Sequence, residues 1–197
     1  MEGGRTVGNM YGSAFVGTME GYLQRYGKSA AQETIARLAP KWRSLLQPHA
    51  AALGILGARK YPYAFIGELL KAMASAVKVD EDTFLRQAAA WGVDATLDTV
   101  SRIALRYVVS PQTVAERSPE LWRVFHDCGR LTITSLTDRD FLSEVSDWPQ
   151  HDVMVCKLGV EGGRRIVERT GAKNVEARRE KCRAWGHDVC VTRIRWT

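Results

Sequence analysis

The hydrophobic periodicity of this chain changes late in the sequence, and that change constrains the fold more than any other feature. Apolar residues recur at helical spacing in the first two-thirds, as in Phe65, Leu69 and Met73. From Leu131 onward they alternate with polar residues, which is typical of strands. Helices and strands that are segregated in this way predict an α+β fold, because the helices cover one face of an antiparallel sheet.

The last third of the chain predicts the order strand–strand–helix–strand–strand. The expected elements are strands at 131–135 and 141–145, a helix at 153–168, and strands at 175–182 and 190–196. The prediction is therefore a helical N-terminal two-thirds packed on a four-stranded antiparallel sheet with a ββαββ C-terminal half. We expect a flexible start over 1–10 and a single domain over 11–197, because most of the helices need the sheet to bury their apolar faces.

The charge and hydropathy of the chain limit which cellular locations and which classes of partner are expected. It has 197 residues and a formal net charge of +6, and much of the excess lies late, as in Arg164, Arg165 and Arg169. Because no nucleic-acid motif accompanies this charge, a solvated helix face explains it better, and nucleic acid is not an expected partner. No apolar stretch approaches the roughly 18 residues that span a bilayer, and the N-terminus lacks the apolar core of a signal peptide. We expect no membrane span and a cytoplasmic location.

Three cysteines are placed where they could converge. Cys182 and Cys190 flank the turn of the last hairpin, and Cys156 lies on the helix that should pack against the sheet. In a cytoplasmic chain, cysteines are more often free thiols or metal ligands than disulfides. Three thiolates and one further donor would complete a tetrahedral zinc site that clamps the helix to the hairpin. The alternative is three small hydrophobic side chains that are buried without metal.

The fourth donor is less clear from the residues. On a strand period of two, Glu180 faces the same side as Cys182, so its carboxylate is one candidate. His49 and His151 fall in predicted loops and carry no pattern that points to a ligand.

Two stretches of the chain resemble a known family. The helix with Cys156, the stop at Gly171 and the run from Cys182 to Cys190 resemble the C-terminal half of a 4-vinyl-reductase-type domain. The run from Leu121 to Leu131, Leu-Trp-Arg-Val-Phe-His-Asp-Cys-Gly-Arg-Leu, resembles a group of small uncharacterised myxobacterial proteins with this domain.

The resemblance implies the fold shared by haem–nitric oxide sensors, Golgi tethering subunits and aromatic-sensing transcription activators. It implies an α+β domain that often dimerises and encloses an apolar pocket, with zinc held by Cys156, Cys182, Cys190 and an acidic residue. The position of that acidic residue, three before Cys182, is Arg179 here. Glu180, His187 or a water would then have to complete the zinc site.

The predicted pocket would be lined by aromatic side chains, although each of them could instead be ordinary core. The residues predicted to contact the ligand are Trp91, Trp122, Phe125, Tyr107 and Phe65. We expect no haem. His126 is the best-placed axial ligand, but a histidine there more simply caps a helix end, and the Tyr-x-Ser-x-Arg motif of the haem–nitric oxide sensors is not matched at 107–110.

These features together predict a non-enzymatic sensor module. It would bind a hydrophobic or aromatic small molecule, form a homodimer and signal through contact with a protein partner. The alternative is a tethering or scaffold protein that uses the same fold without a ligand. An enzyme is not expected, because the sequence offers no nucleotide motif and no supported acid–base pair.

Overall fold

The computed structural model describes residues 8–100 and 110–197, and side chains are described for 8–97 and 110–197. The helices are α1 (Val16–Arg37), α2 (Pro40–Arg43), α3 (Tyr63–Ala76), α4 (Glu81–Val100), α5 (Pro111–Phe125) and α6 (Val153–Arg169). The strands are β1 (Asn9–Tyr11), β2 (Lys60–Pro62), β3 (Arg130–Leu136), β4 (Asp140–Ser146), β5 (Glu176–Lys181) and β6 (Cys190–Arg195). The fold is α+β, with the helices first and the main sheet last, as the sequence predicts.

The main sheet has four antiparallel strands in the order β3-β4-β6-β5, which confirms the predicted ββαββ half. Its register places Phe141 opposite Ile194 and Val145 opposite Cys190. These four side chains are buried, so one face of the sheet carries the core while α5 and α6 cover it. Burial of alternate residues is what the period-two pattern of these strands requires.

A small second sheet pairs β1 with β2, and this pairing differs from the expected flexible start over 1–10. Met10 is buried opposite Tyr61. The backbone N–H and side-chain amide of Asn9 donate to the Asp127 carboxylate at 2.7 and 2.9 Å. This partner lies 118 residues away in the chain, so the local sequence carries no signal of it.

Helix α6 joins the helical half to the sheet. Asp152 caps its N-terminus, because the carboxylate accepts from the backbone N–H groups of Met154 and Val155 at 2.9 and 3.0 Å. Near its other end, Arg165 forms a two-pronged ion pair with Asp94 of α4, at 3.0 and 2.7 Å. The helix therefore contacts α3 and α4 on one side and β5 and β6 on the other.

Most of the late basic residues are paired with acids rather than free. Arg164 pairs with Glu161 and Glu168, and Arg193 pairs with Asp140 and Glu180. This pairing fits the interpretation of the late charge as structural. Among the described residues, we find no helix that is both long enough and apolar enough to cross a membrane.

Two glycines provide a matched test of the α3–α6 contact. A β-carbon at Gly67 of α3 would overlap the Asp152 carboxylate, whereas one at Gly159 of α6 meets open space. We expect Gly67→Ala to lower the free energy of unfolding by about 2 kcal/mol, through overpacking and loss of the cap. Gly159→Ala should raise it by about 0.5–1 kcal/mol. Urea denaturation measures both, and equal effects of the two changes would contradict the close approach.

Candidate metal centre

Four potential metal ligands meet where α6 begins and the last hairpin turns. They are His151, Cys156, Cys182 and Cys190, and their ligand atoms all lie within 4.8 Å of one another. The three sulfur atoms form a nearly equilateral triangle, with sides of 3.9 Å (Cys156–Cys182), 3.8 Å (Cys156–Cys190) and 3.9 Å (Cys182–Cys190). Nε2 of His151 lies 3.6 Å from Sγ of Cys182.

Local structure explains why these side chains converge. His151 directly precedes the N-cap Asp152, and Cys156 lies in the first turn of α6, so the helix start brings both to the same place. Cys182 follows β5 and Cys190 opens β6, and a short 3-10 turn at Arg183–Trp185 connects the two strands.

The hairpin turn is held by its backbone. The backbone N–H of Arg183 donates to Sγ of Cys190 at 3.4 Å, and the N–H of His187 donates to the carbonyl of Cys182 at 3.3 Å. Gly186 ends the 3-10 turn with φ 88°, a left-handed conformation that glycine adopts without steric cost.

The spacing of the three sulfur atoms matches one face of a tetrahedron around a single metal ion. With metal–sulfur bonds of about 2.3 Å, tetrahedral geometry requires sulfur–sulfur distances of about 3.8 Å. With a metal–nitrogen bond of about 2.0–2.1 Å, it requires a nitrogen–sulfur distance of about 3.5 Å. The observed sulfur–sulfur distances of 3.8–3.9 Å agree with the first value. The distance of 3.6 Å from Nε2 of His151 to Sγ of Cys182 agrees with the second, and all four ligand atoms lie within 4.8 Å of one another. The residues therefore fit a single soft ion with a closed coordination shell.

The electrostatics of the cluster favour ionisation of Cys190 first. Its pKa is lowered because the Cys156 thiol donates to its sulfur, assisted by His151 and by the backbone N–H of Arg183. The pKa of Cys156 is raised by this same hydrogen bond and by burial. A thiolate in a buried group of thiols is ready to accept a cation, because metal binding requires deprotonated cysteine.

The structure does not bring the predicted fourth ligands Glu180 and His187 into the cluster. The register shifts between Arg179 and Lys181, where β5 has one residue more than β6, so the inward–outward alternation changes before Cys182. Glu180 consequently points to the outer face and binds Arg193 at 2.7 Å. The side chain of His187 is exposed in the turn and does not join the cluster.

His151 is the fourth potential ligand in the cluster, although its loop location carries no pattern in the sequence. The signal that could have identified it is its distance along the chain from Cys156. A residue just before a helix N-cap and a residue in the first turn of that helix lie close in space, because the first turn rises only about 5 Å.

The residues predicted to line a ligand pocket fall into separate aromatic groups. Phe65 stacks with Tyr61 at a centroid distance of 5.6 Å in the fully buried core. Trp91 packs against Tyr26 and Phe84, each at 6.1 Å.

Trp122 belongs to a third group, near the metal centre. It stacks on His126 at 3.8 Å and packs edge-on against Trp148 at 5.2 Å. Trp148 in turn lies 5.0 Å from the ring of the candidate ligand His151. Phe125 is half-buried at the end of α5, and Tyr107 lies outside the described residues.

His126 lies at the end of α5. The sequence allows two roles for it, haem ligand and helix cap, and favours the cap. Its backbone N–H donates to the carbonyl of Trp122, as expected of a cap. Its Nδ1 lies 2.8 Å from the hydroxyl of Tyr63. Burial raises the pKa of this hydroxyl, so it stays protonated, and the histidine tautomer decides whether it donates to the ring nitrogen or accepts from it. Burial lowers the pKa of His126 to about 3, so the imidazole is neutral.

A cleft of about 270 Å³ opens beside the cluster. Its walls come from the start of α4, from α6 and from the Arg183–Trp185 turn, and they include Cys156, Cys182 and Trp185. It offers an ion a route to the buried thiols. None of the described members of the predicted pocket set lines this cleft.

Comparison with known proteins identifies the fold. No family model matches the sequence, and no curated protein sequence matches it. An Fe(II) unliganded H-NOX protein from K. algicida aligns over 95% of this chain and 97% of its own, with a TM-score of 0.69 and 13% identity. An H-NOX protein from S. oneidensis in the Fe(II)NO ligation state covers 95% and 99%, with a TM-score of 0.68 and 12% identity.

A third solved structure extends the same result. It is an oxygen-binding H-NOX domain related to soluble guanylate cyclases, in its oxygen complex, with a TM-score of 0.65 and 10% identity over 95% of each chain. At these identities the likeness shows the fold alone. The predicted fold of the haem–nitric oxide sensors is thereby confirmed.

The same comparisons overturn the expectation of no haem. The proteins that share this fold are H-NOX proteins described with Fe(II), with Fe(II) and NO, and as an oxygen complex. One missing motif at 107–110 is therefore no ground for excluding haem, because iron ligation depends on the pocket rather than on that motif. His126 is engaged by Tyr63 and Trp122. Within the described residues we assign no axial ligand.

The buried neutral His126 predicts a pH dependence of stability. Its pKa is about 3 in the folded chain and about 6.5 in the unfolded chain. The unfolded state therefore binds more protons between these values, and stability falls as the pH drops below about 6.5. Between pH 7.5 and 5.5 we expect His126 to account for a loss of about 1 kcal/mol.

Denaturant unfolding of His126→Gln at the two pH values checks this prediction. The variant should lose about 1 kcal/mol less than the wild type over this interval. His187→Gln is the matched control, because that histidine is exposed. Equal pH dependence in all three proteins would contradict a buried neutral His126.

Proposed function

We propose that the protein is a small-molecule sensor module whose sheet and helices are held together by one structural zinc ion. The observation that carries the zinc proposal is the triangle of three sulfur atoms at the spacing of a tetrahedral site, with an imidazole nitrogen 3.6 Å from one of them. Three thiolates and a histidine are ligands that zinc prefers in closed, structural sites. The ion would be held by His151, Cys156, Cys182 and Cys190, and it would supply cross-linking rather than reaction chemistry.

The free thiols support a cytoplasmic location for such a site. All four cysteines are unpaired as disulfides, and reducing compartments keep thiols available for metal. The bound ion would tie the first turn of α6 to the β5–β6 turn. We treat 11–197 as one domain, because α6 packs on both the helices and the sheet.

The sensor role is supported by the fold and by contacts that lead away from the cluster. The H-NOX proteins that share the fold bind NO or oxygen, and they align over nearly their whole length. In this chain, His151 contacts Trp148, which contacts Trp122 and Tyr63 at 5.2 and 5.3 Å. A ligand that binds near these rings and displaces Trp148 would therefore also displace His151, a proposed ligand of the metal.

A buried donor in this aromatic group supports a ligand there. Trp148 is buried, and its indole N–H has no acceptor among the described residues. A buried donor without a partner costs about 1–3 kcal/mol. An acceptor atom on an otherwise apolar or aromatic ligand would remove that cost. Trp122 is the member of the predicted ligand set that lies against Trp148.

The remaining parts of the proposal concern relationship and output. We place the chain with 4-vinyl-reductase-like domains and, within them, with the myxobacterial proteins that the Leu121–Leu131 run resembles. The role is non-enzymatic, and the signal passes by contact with a protein partner from a homodimer. A tethering protein without ligand is the alternative outcome of the ligand experiment.

Metal binding is tested with two histidine variants. We expect one zinc ion per wild-type chain, and a loss of zinc affinity of at least about a hundredfold in His151→Ala, because a direct ligand is removed. His187→Ala should bind zinc like the wild type. Chelator competition with elemental analysis measures both affinities, and equal binding by the two variants would assign the fourth ligand elsewhere.

Ligand binding is tested on the protein as purified. Native mass spectrometry and the visible absorption spectrum should reveal a retained apolar or aromatic molecule, or the absorption of haem. Indole is a suitable added probe, and its affinity should fall about tenfold in Trp122→Leu, which removes one aromatic wall. Trp42→Leu, in a separate aromatic group, is the control. A protein with no retained molecule and no indole binding favours the tethering role.

A further inference from the structure

Arg179 lies beside the thiol cluster, and its position is fixed by two hydrogen bonds. It pairs with Thr192 of β6 and directs its guanidinium inward, toward the first turn of α6. One guanidinium nitrogen donates to the hydroxyl of the buried Thr192 at 2.6 Å, and the other donates to the backbone carbonyl of Cys156 at 2.9 Å. Both acceptors are neutral, so these bonds hold the guanidinium without neutralising its charge.

The charge of a filled site makes this position significant. Zinc with three thiolates and a neutral imidazole carries a net charge of −1. An isolated charge in a buried site is costly unless an opposite charge is close to it. Arg179 supplies one positive charge next to the ligand Cys156, and arginine keeps that charge at every physiological pH.

The other cations around the adjoining cleft are paired with carboxylates instead. Lys157 of α6 binds Asp82 of α4 at 2.7 Å. Arg86 of α4 lies 3.6 Å from Glu161 of α6, a carboxylate that also binds Arg164. Of the cleft-lining cations, Arg179 is thus the one whose hydrogen bonds go to uncharged acceptors, one of them the backbone carbonyl of the candidate ligand Cys156.

We propose that Arg179 is the counter-charge of the metal centre and the residue that positions Cys156 within it. The inference rests on the zinc site proposed above. The guanidinium offsets the negative charge of the loaded site. Its bond to the Cys156 carbonyl holds the first turn of α6 against β5 and β6, which keeps the Cys156 sulfur beside the other two.

The test compares two neighbouring arginines on β5. Arg179→Gln removes the inward charge, and Arg178→Gln removes the same charge from an exposed side chain that pairs with Glu180. Zinc affinity is measured by chelator competition, and the site geometry by the absorption spectrum of the cobalt-substituted protein. We expect zinc affinity about tenfold weaker or more in Arg179→Gln, which is typical of residues that support metal ligands. In Arg178→Gln it should stay within about twofold of the wild type.

A third variant separates charge from shape. Arg179→Lys replaces the two-nitrogen fork by a single ammonium but keeps the positive charge. Because the charge is the larger part of the proposed effect, its zinc affinity should stay within about threefold of the wild type. The cobalt spectrum should keep its thiolate bands in all three variants, because the ligands are unchanged.

Several results would overturn the inference. Equal zinc affinities of Arg179→Gln and Arg178→Gln would contradict the counter-charge role of Arg179. An Arg179→Lys protein that binds zinc as weakly as Arg179→Gln would contradict it too. If Arg179→Gln does not fold, Arg179→Lys decides alone, and a tenfold loss in it contradicts the proposal. A wild-type chain that binds no zinc would refute the metal site itself, and this inference with it, whereas zinc in the wild type with no effect of Arg179 refutes the inference alone.

Discussion

The packing of helix α6 between the helical half and the sheet is the contact on which the rest of the structure depends. Its first turn carries Cys156 and is capped by Asp152, which fits against α3 at a glycine. Its far end is joined to α4 by the ion pair of Asp94 with Arg165. Without this helix, the inner face of the sheet would lose much of its cover, and the thiols of the hairpin would lose their third member. The fold and the candidate metal site therefore both depend on how α6 packs.

Much of this arrangement could be predicted from the sequence, because the responsible signals are local. The change from helical to alternating periodicity near Leu131 indicates the α+β class, and the strand–strand–helix–strand–strand order follows from patterns within single elements. The meeting of Cys156 with Cys182 and Cys190 follows from one further step, since a helix that connects two hairpins of an antiparallel sheet must pack on that sheet.

The errors arise where structure depends on distant partners or on one irregular residue. The pairing of Asn9 with Asp127 crosses most of the chain. The bulge before Cys182 reverses the alternation on which the assignment of Glu180 relied, and no residue type announces it. The sequence pattern does not identify His151 as a ligand, because a histidine in a loop has no periodicity of its own. The exclusion of haem failed for another reason: a missing motif says nothing about the pocket that a shared fold can build.

The two unlike ends of α6 make it a lever. The helix has 17 residues and is about 25 Å long. If a metal ion fixes the first turn of α6 to the hairpin, the helix can tilt only about that end. A tilt of about 5° then moves the far end of the helix, near the Asp94–Arg165 contact, by about 2 Å. A small displacement of the aromatic rings next to the fixed end would thus become a larger displacement where α6 contacts α4. Helix α4 would then have to move with α6 or lose that contact.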